Sequence, residues 1–376
     1  MTDEDYLLAL LRLALWQDVA VPDGDVALLG KTLVLAREHT VAALVAHPFI
    51  VGQARLVDGT GGDGGRDGER ALRQKLVLGM MQAEHVHKAA YCKFAGVLHE
   101  LAALFRRHSI RYAVFKGWAV ASHYPQPCLR TMGDVDFYVV PADFARAGEA
   151  IEQEWGVAIE RDGLDKHDSF GWQGLRFEMH RRIETFGRVG AQRAFDAWIE
   201  AEVMRQAASV SVGGEPLSVL PPVADVVVVF KHMFNHLLVE GVGLRQVSDV
   251  AVLLDAYKDD IDKPSLRARL NELGYLKAFD AVVAMLHKRL GLACAAAYAP
   301  LSGKDCRHAD RMFRMIMNSG NFGRKAYAHH AAGRVKSMET AWRAFCHCLF
   351  AMRLIPREIV AFVPRRVGIA VKKNFF

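Results

Sequence analysis

The stretch Gly133–Val140, GDVDFYVV, decides how the chain is read. Val135, Phe137, Tyr138, Val139 and Val140 supply the branched and aromatic content of a strand. Asp134 and Asp136 interrupt it. Successive strand side chains point to opposite faces, so these two carboxylates share one face and repel each other. Such a pair is costly unless a cation neutralises it. Hard carboxylate oxygens suit Mg²⁺, which is commonly shared with substrate phosphates. The segment therefore calls for a third acid and for groups that hold phosphate.

Both lie within the surrounding sequence. Upstream, RYAVFK (Arg111–Lys116) reads as a short strand, GWAVASHY (Gly117–Tyr124) as a short helix and YPQP as a turn. Downstream, a helix is expected over Ala142–Trp155, and GLRFEMHRRI (Gly174–Ile183) alternates like another strand. Glu178 offers the third carboxylate, and His180, two residues on, shares its face. Gly117 opens a helix directly after a strand, where backbone N–H groups favour an anion. Lys116 and Arg130 add positive charge on either side. A purely structural account has the Asp-x-Asp pair facing water and Glu178 paired with Arg176 or Arg181.

The ordered set FKGWAV, LRTMGDVDFYVV and RFEMH resembles the nucleotidyltransferase superfamily with the DNA polymerase β-like fold. The FKG opening, Arg130 before the Asp-x-Asp strand, the Glu-x-His strand and the helix pair KHMFNHLL…LRQVSDVAVLL look most like the branch labelled uncharacterised nucleotidyltransferase. The resemblance covers roughly residues 80 to 290. It implies an α+β fold: a small mixed-sheet core flanked by N-terminal and C-terminal helical regions. It also implies an enzyme that moves a nucleoside monophosphate from an NTP to a hydroxyl acceptor. Two Mg²⁺ ions would sit on Asp134, Asp136 and Glu178. Lys116, Gly117 and Arg130 would hold the phosphates, Asp249 would close over the nucleotide, and His180 would orient a metal ligand or the acceptor. The superfamily commonly has Gly-Ser or Gly-Gly where this chain has Gly117-Trp118, so Trp118 must turn into the packing if Gly117 is to admit a phosphate. Alternatives of the same fold are a toxin-like enzyme acting on tRNA or protein and a catalytically inactive nucleotide-binding module.

The remainder of the 376 residues, with 52% hydrophobic and 24% charged side chains, reads as globular. Residues 1–95 look helical: Leu7, Leu8, Leu11, Ala14 and Leu15 mark one face, and a second helix is expected over Lys31–Ala46. DGTGGDGGRDGE (Asp58–Glu69) reads as an exposed, mobile loop, with no GK[ST] to make it a phosphate loop. A long helix should cover Arg73–His108. The core is assigned to 96–220, a helical domain to 221–330 and a basic amphipathic tail to 331–376. His232 and His236 stand one helical turn apart without the Glu of an HExxH motif, which favours a structural or substrate-edge role over zinc. Six cysteines show no CxxC pair and read as reduced thiols.

Charge is uneven. Residues 331–376 carry nine Lys/Arg against Glu339 and Glu358, a balance of +7 within a net charge of +6, which leaves the remaining chain about neutral. Phe345, Leu349, Phe350, Met352, Leu354 and Ile355 make this tail amphipathic. Packing on the protein body is the first expectation, peripheral contact with an anionic membrane the second and nucleic-acid binding the third. The acidic start lacks a secretory pattern, and charges interrupt the apolar stretches, so a cytoplasmic chain without a transmembrane helix is expected.

Overall fold

Helix α1 (Asp3–Trp16) opens the computed structural model, which describes all residues except 18, 58–62, 162–165, 206–207, 213, 302, 324–341, 343–344 and 362–376. Thr2 and Asp5 exchange hydrogen bonds in a capping box that satisfies N–H groups of the first turn. The face bearing Leu7, Leu8, Leu11 and Leu15 is buried. The helix expected over Lys31–Ala46 is instead two, α2 (Val26–Glu38) and α3 (Ala42–Ile50). They part because Thr40 takes a left-handed backbone with φ 56°, through which a right-handed helix cannot continue.

Helix α4 (Asp63–Arg107) is 45 residues long. Asp63–Glu69, expected as loop, is therefore helical, while 58–62 lie outside the described residues. Each helical glycine costs about 1 kcal/mol relative to Ala, and propagation from the downstream helix offsets this with a further backbone hydrogen bond per residue.

The middle of the chain runs β1 (Tyr112–Val114), α5 (Gly117–Ala121), β2 (Val135–Val139), α6 (Phe144–Trp155), β3 (Glu160–Arg161), β4 (His167–Trp172) and β5 (Leu175–His180). The five strands form one mixed sheet in the order β1-β2-β5-β4-β3, with β2 and β5 parallel and the other neighbours antiparallel. Val135, Phe137 and Val139 of β2 pack with Phe105 of α4, Ile151 of α6 and Phe177 of β5. Full burial of each phenylalanine contributes about 1.5–3 kcal/mol. Tyr138 points the other way, into a second core shared with the helical regions. Asp136 lies on that same face by strand alternation.

Helix α7 (Val189–Met204) and the hairpin of β6 (Ser209–Val212) and β7 (Glu215–Ser218) lead into α8 (Pro222–Val239) and α9 (Leu244–Ala256). Then follow α10 (Lys263–Leu273), α11 (Leu276–Met285) with a π-helical continuation Leu286–Leu290, α12 (Ala295–Tyr298) and α13 (Gly303–Ser319). Among the described residues only α8 is long and apolar enough to cross a membrane, and 67% of it is buried inside the protein as a core helix. Most of the basic tail lies outside the described residues. Its described part, Trp342 and 345–361, packs Phe350, Leu354 and Ile355 into the helical core, and the carboxylate of Glu358 accepts from Gly187 N at 2.8 Å. Phe345, Leu349 and Met352 are exposed.

The turn from α8 to α9 is held by Gly241, at φ 107°. A Cβ there would lie 2.7 Å from Cβ of Ser319 and 3.1 Å from the backbone N of Gly323. Gly241→Ala should therefore lower stability by about 2 kcal/mol or more in urea unfolding, with a matching fall in Tm; an unchanged midpoint would contradict this packing.

Candidate active site

The parallel pairing of β2 with β5 sets Asp136 directly beside Glu178. Asp134 stands just before β2 and lines the same cavity, of about 670 Å³, as the other two acids. Glu178 does not pair with Arg176 or Arg181: Arg176 donates to Ser169 Oγ at 3.3 Å and Arg181 to Asp168 Oδ1 at 2.8 Å. Its neighbours are imidazoles, with His180 Nε2 at 3.4 Å and His167 Nε2 at 3.7 Å. His180 is wholly buried, and its Nε2 also lies 2.9 Å from Asp136 Oδ1.

Lys116 Nζ donates to that same Asp136 oxygen at 3.2 Å. Burial alone would raise the Asp136 pKa, but the charge of Lys116 and the His180 hydrogen bond hold it well below the usual carboxylate range. Asp134 moves the other way. Burial, with Glu178 and Asp136 close by, pushes it up against the opposing pull of Arg176 and Lys116. The His180 hydrogen bond lowers Glu178 despite its burial. One acid of the three is thus neutralised within the protein, while the repulsion between the others remains.

Lys116 sits at φ 58°, ψ −147°, a backbone region that costs a side-chain-bearing residue about 1–3 kcal/mol. Gly117 follows at φ 32°, where a Cβ would lie 3.4 Å from the backbone carbonyl oxygen of Asp134. Trp118 turns away and stacks on Tyr91 of α4, with ring centroids 6.0 Å apart, so Gly117 faces the cavity without it. Helix α5 ends at Ala121 rather than Tyr124. So short a helix has little dipole, and what it offers an anion is the set of first-turn N–H groups that have no partner within the helix.

Arg130 and Asp249 are brought together, but with each other. Arg130 Nε donates to Asp249 Oδ1 at 2.8 Å and Nη2 to Oδ2 at 2.7 Å, and Tyr124 Oη donates to Oδ1 at 2.7 Å. Both charged residues are buried. The pair forms a wall of the cavity and clamps the segment before β2 onto α9. Arg245 Nη1 donates to the Thr131 carbonyl at 3.0 Å, and Thr131 Oγ1 donates to the Thr40 carbonyl at 3.0 Å. The break between α2 and α3 thereby becomes part of the same wall.

Helix α8 supplies His232 and His236. Nδ1 of His232 lies 3.1 Å from Glu184 Oε1, and Asn235 donates to the other oxygen of Glu184 at 2.7 Å. Burial, then the charge of Lys116, pushes His232 down to about 4. His236 pairs with Glu240 at 3.0 Å. The two histidines hold different carboxylates, with ring centroids 4.4 Å apart, and line the cavity edge. Behind this wall, Tyr257 Oη donates to Asp225 Oδ2 at 3.1 Å. Burial, reinforced by Asp249, pushes Asp225 up to about 7.

His167, Lys166 and Arg245 line the cavity without having been singled out from the sequence. His167 belongs to β4, whose marker is the turn Gln173-Gly174: φ 47° and 67° are the two left-handed positions of a tight hairpin. Arg245 carries no local signal. The donor set of three carboxylates with two imidazoles fits divalent metal ions, and the residual repulsion at Asp134 is what such a charge would relieve.

A family model described as uncharacterised nucleotidyltransferase matches residues 30–291. The chain is also similar to the solution structure of the antibiotic-resistance factor ANT(2'')-Ia, at 13% identity, covering 52% of this chain and 96% of that one with a TM-score of 0.34. A crystal structure of an antigenic nucleotidyltransferase-like protein from Paracoccidioides brasiliensis is similar at 12% identity, covering 57% of this chain and 96% of that one with a TM-score of 0.35. No curated protein matches the chain.

Arg130→Met leaves the Asp249 carboxylate buried with Tyr124 as its remaining partner, and should cost about 3–5 kcal/mol in urea unfolding. Adding Asp249→Leu should restore most of that loss; a double variant no better than the single one would contradict a buried ion pair. Asp225 has a folded pKa above its unfolded value, so the folded state binds more protons between about pH 4 and pH 7 and stability falls as pH rises through that window. Asp225→Asn should flatten this slope, read from Tm at a series of pH values.

Proposed function

Because the chain belongs to the uncharacterised nucleotidyltransferase family, we propose that it transfers a nucleoside monophosphate from an NTP to a hydroxyl acceptor, with Mg²⁺, in the cavity between the sheet and α8–α9. The observation that carries this reading is the convergence of Asp134, Asp136 and Glu178 beside the Lys116-Gly117 turn in one cavity. Bound divalent ions would supply Lewis-acid polarisation of the α-phosphate and activation of the acceptor hydroxyl. Asp134, Asp136 and Glu178 would hold them.

The chain's own groups do the rest. First-turn N–H groups at Gly117 receive phosphate oxygens. Lys116, fixed by its backbone and by Asp136, places a positive charge where the leaving pyrophosphate gathers negative charge. A bond forms from the acceptor oxygen to the α-phosphorus as the bond to the bridging oxygen breaks. Arg130 and Asp249 act as positioning residues in this reading: their buried ion pair fixes the loop that presents Asp134. His232, kept neutral and oriented by Glu184, borders the side from which an acceptor would enter.

Incubation with α-labelled NTPs, Mg²⁺ and a cell extract should place label on an acceptor. Asp136→Asn should reduce that label by at least about 100-fold. Calorimetry with each NTP and Mg²⁺ separates an inactive binding module, which binds without turnover, from a transferase. Nucleotide binding equally tight in the Asp134→Ala/Asp136→Ala protein would sink the metal-site reading.

A further inference from the structure

The Glu178 end of the cavity differs from the Asp134 end in its donor atoms. His167 and His180 are directly opposed across the β4–β5 ladder, with ring centroids 4.9 Å apart. One ring nitrogen of each and a Glu178 oxygen all lie within 4.8 Å of one another. Glu178 oxygens stand 3.4 Å from His180 Nε2 and 3.7 Å from His167 Nε2. Ligand atoms on a tetrahedral ion with bonds of about 2.1 Å sit roughly 3.4 Å apart, so these separations already approach those of a shared ion. Asp136 Oδ1, 2.9 Å from His180 Nε2, stands in the place of a fourth donor.

The orientation of His180 supports the same point. Its Nδ1 lies 3.4 Å from the Arg182 carbonyl, an oxygen that only accepts, which turns Nε2 toward Asp136 and Glu178. A backbone carbonyl behind one ring nitrogen is the usual device for fixing the other as a metal ligand. A fully buried imidazole facing two carboxylates in this way leaves a position suited to a cation.

Mg²⁺ prefers an octahedral shell of oxygens and retains water, whereas imidazole nitrogens favour borderline ions of the zinc type. We infer that His167, Glu178 and His180 form a nitrogen-containing site selective for a zinc-type divalent ion, beside an all-oxygen position for Mg²⁺ at Asp134 and Asp136. The inference rests on reading this cavity as a divalent-metal centre, and it deepens that reading by making the two metal positions chemically unequal.

The test uses the full chain, stripped with chelator and free of nucleotide. Zn²⁺ and Mg²⁺ are titrated by calorimetry, and Co²⁺ is added as a visible probe. One Zn²⁺ should bind at least about 1,000-fold more tightly than Mg²⁺, and Co²⁺ should give the intense ligand-field absorption of a four-coordinate ion. His167→Ala, at a partly exposed position, should weaken Zn²⁺ by about 100-fold and abolish the cobalt spectrum with the Tm of the metal-free protein unchanged. Cys92→Ser and His85→Ala, remote surface controls, should change neither. X-ray absorption of the zinc form should show imidazole scattering. Zinc binding indifferent to His167→Ala, or an ion ligated by oxygen or sulfur alone, overturns the proposal even if nucleotide label is transferred. Conversely, a nitrogen-ligated ion in a protein that transfers no label upholds the site and removes the transferase reading.

Discussion

Asp136 is an acid placed inside a sheet, and the surrounding structure is arranged to keep it charged. Lys116 reaches it from the end of β1 and His180 from β5, so its polar partners come from the strands on either side. Lys116 can do so only by accepting a backbone conformation that suits glycine, and the parallel register of β2 and β5 delivers His180 and Glu178 together. Burial raises the energy of an unpaired carboxylate steeply. Losing either neighbour would therefore leave an unbalanced charge between two hydrophobic cores. The site and the sheet are one electrostatic object, and the fold cannot be considered apart from it.

How much of this the sequence shows depends on the range of the interaction. The strands around Val114, Phe137 and Phe177 are legible because branched and aromatic residues gather over a few positions, in the last two broken by polar ones. The shared face of Asp136 and Tyr138 follows from the same alternation. Strand β4 hides because His167, Asp168 and Ser169 begin it with polar side chains, and its one local marker is Gln173-Gly174. The break at Thr40 has no Gly or Pro to announce it. Partnerships across the chain are the least legible: Arg130 and Asp249 are separated by 119 positions. Read singly, each looks like a group for a phosphate or a nucleotide. Only the fold shows that a guanidinium and a carboxylate at bidentate distance satisfy each other.

The three acids illustrate an intermediate case. Their order along the chain, and their placement on strands, can be read from residue types. The direct neighbour relation of Asp136 and Glu178 needs the strand register, which no local pattern specifies. The environment of Glu178 needs more still, since arginines adjacent in sequence turn to Ser169 and Asp168 while histidines take their place.

Thr40 lies far upstream of the sheet, yet its carbonyl receives Thr131 just ahead of the acidic strand. The N-terminal helices therefore contribute a side of the cavity and do not merely precede it. A smaller piece of chain holding only the sheet would keep every acid and still present an open trough, with bulk water reaching them from the missing side. The enclosure begins with the helices, and the shortest chain able to close this cavity is longer than the one that supplies its acids.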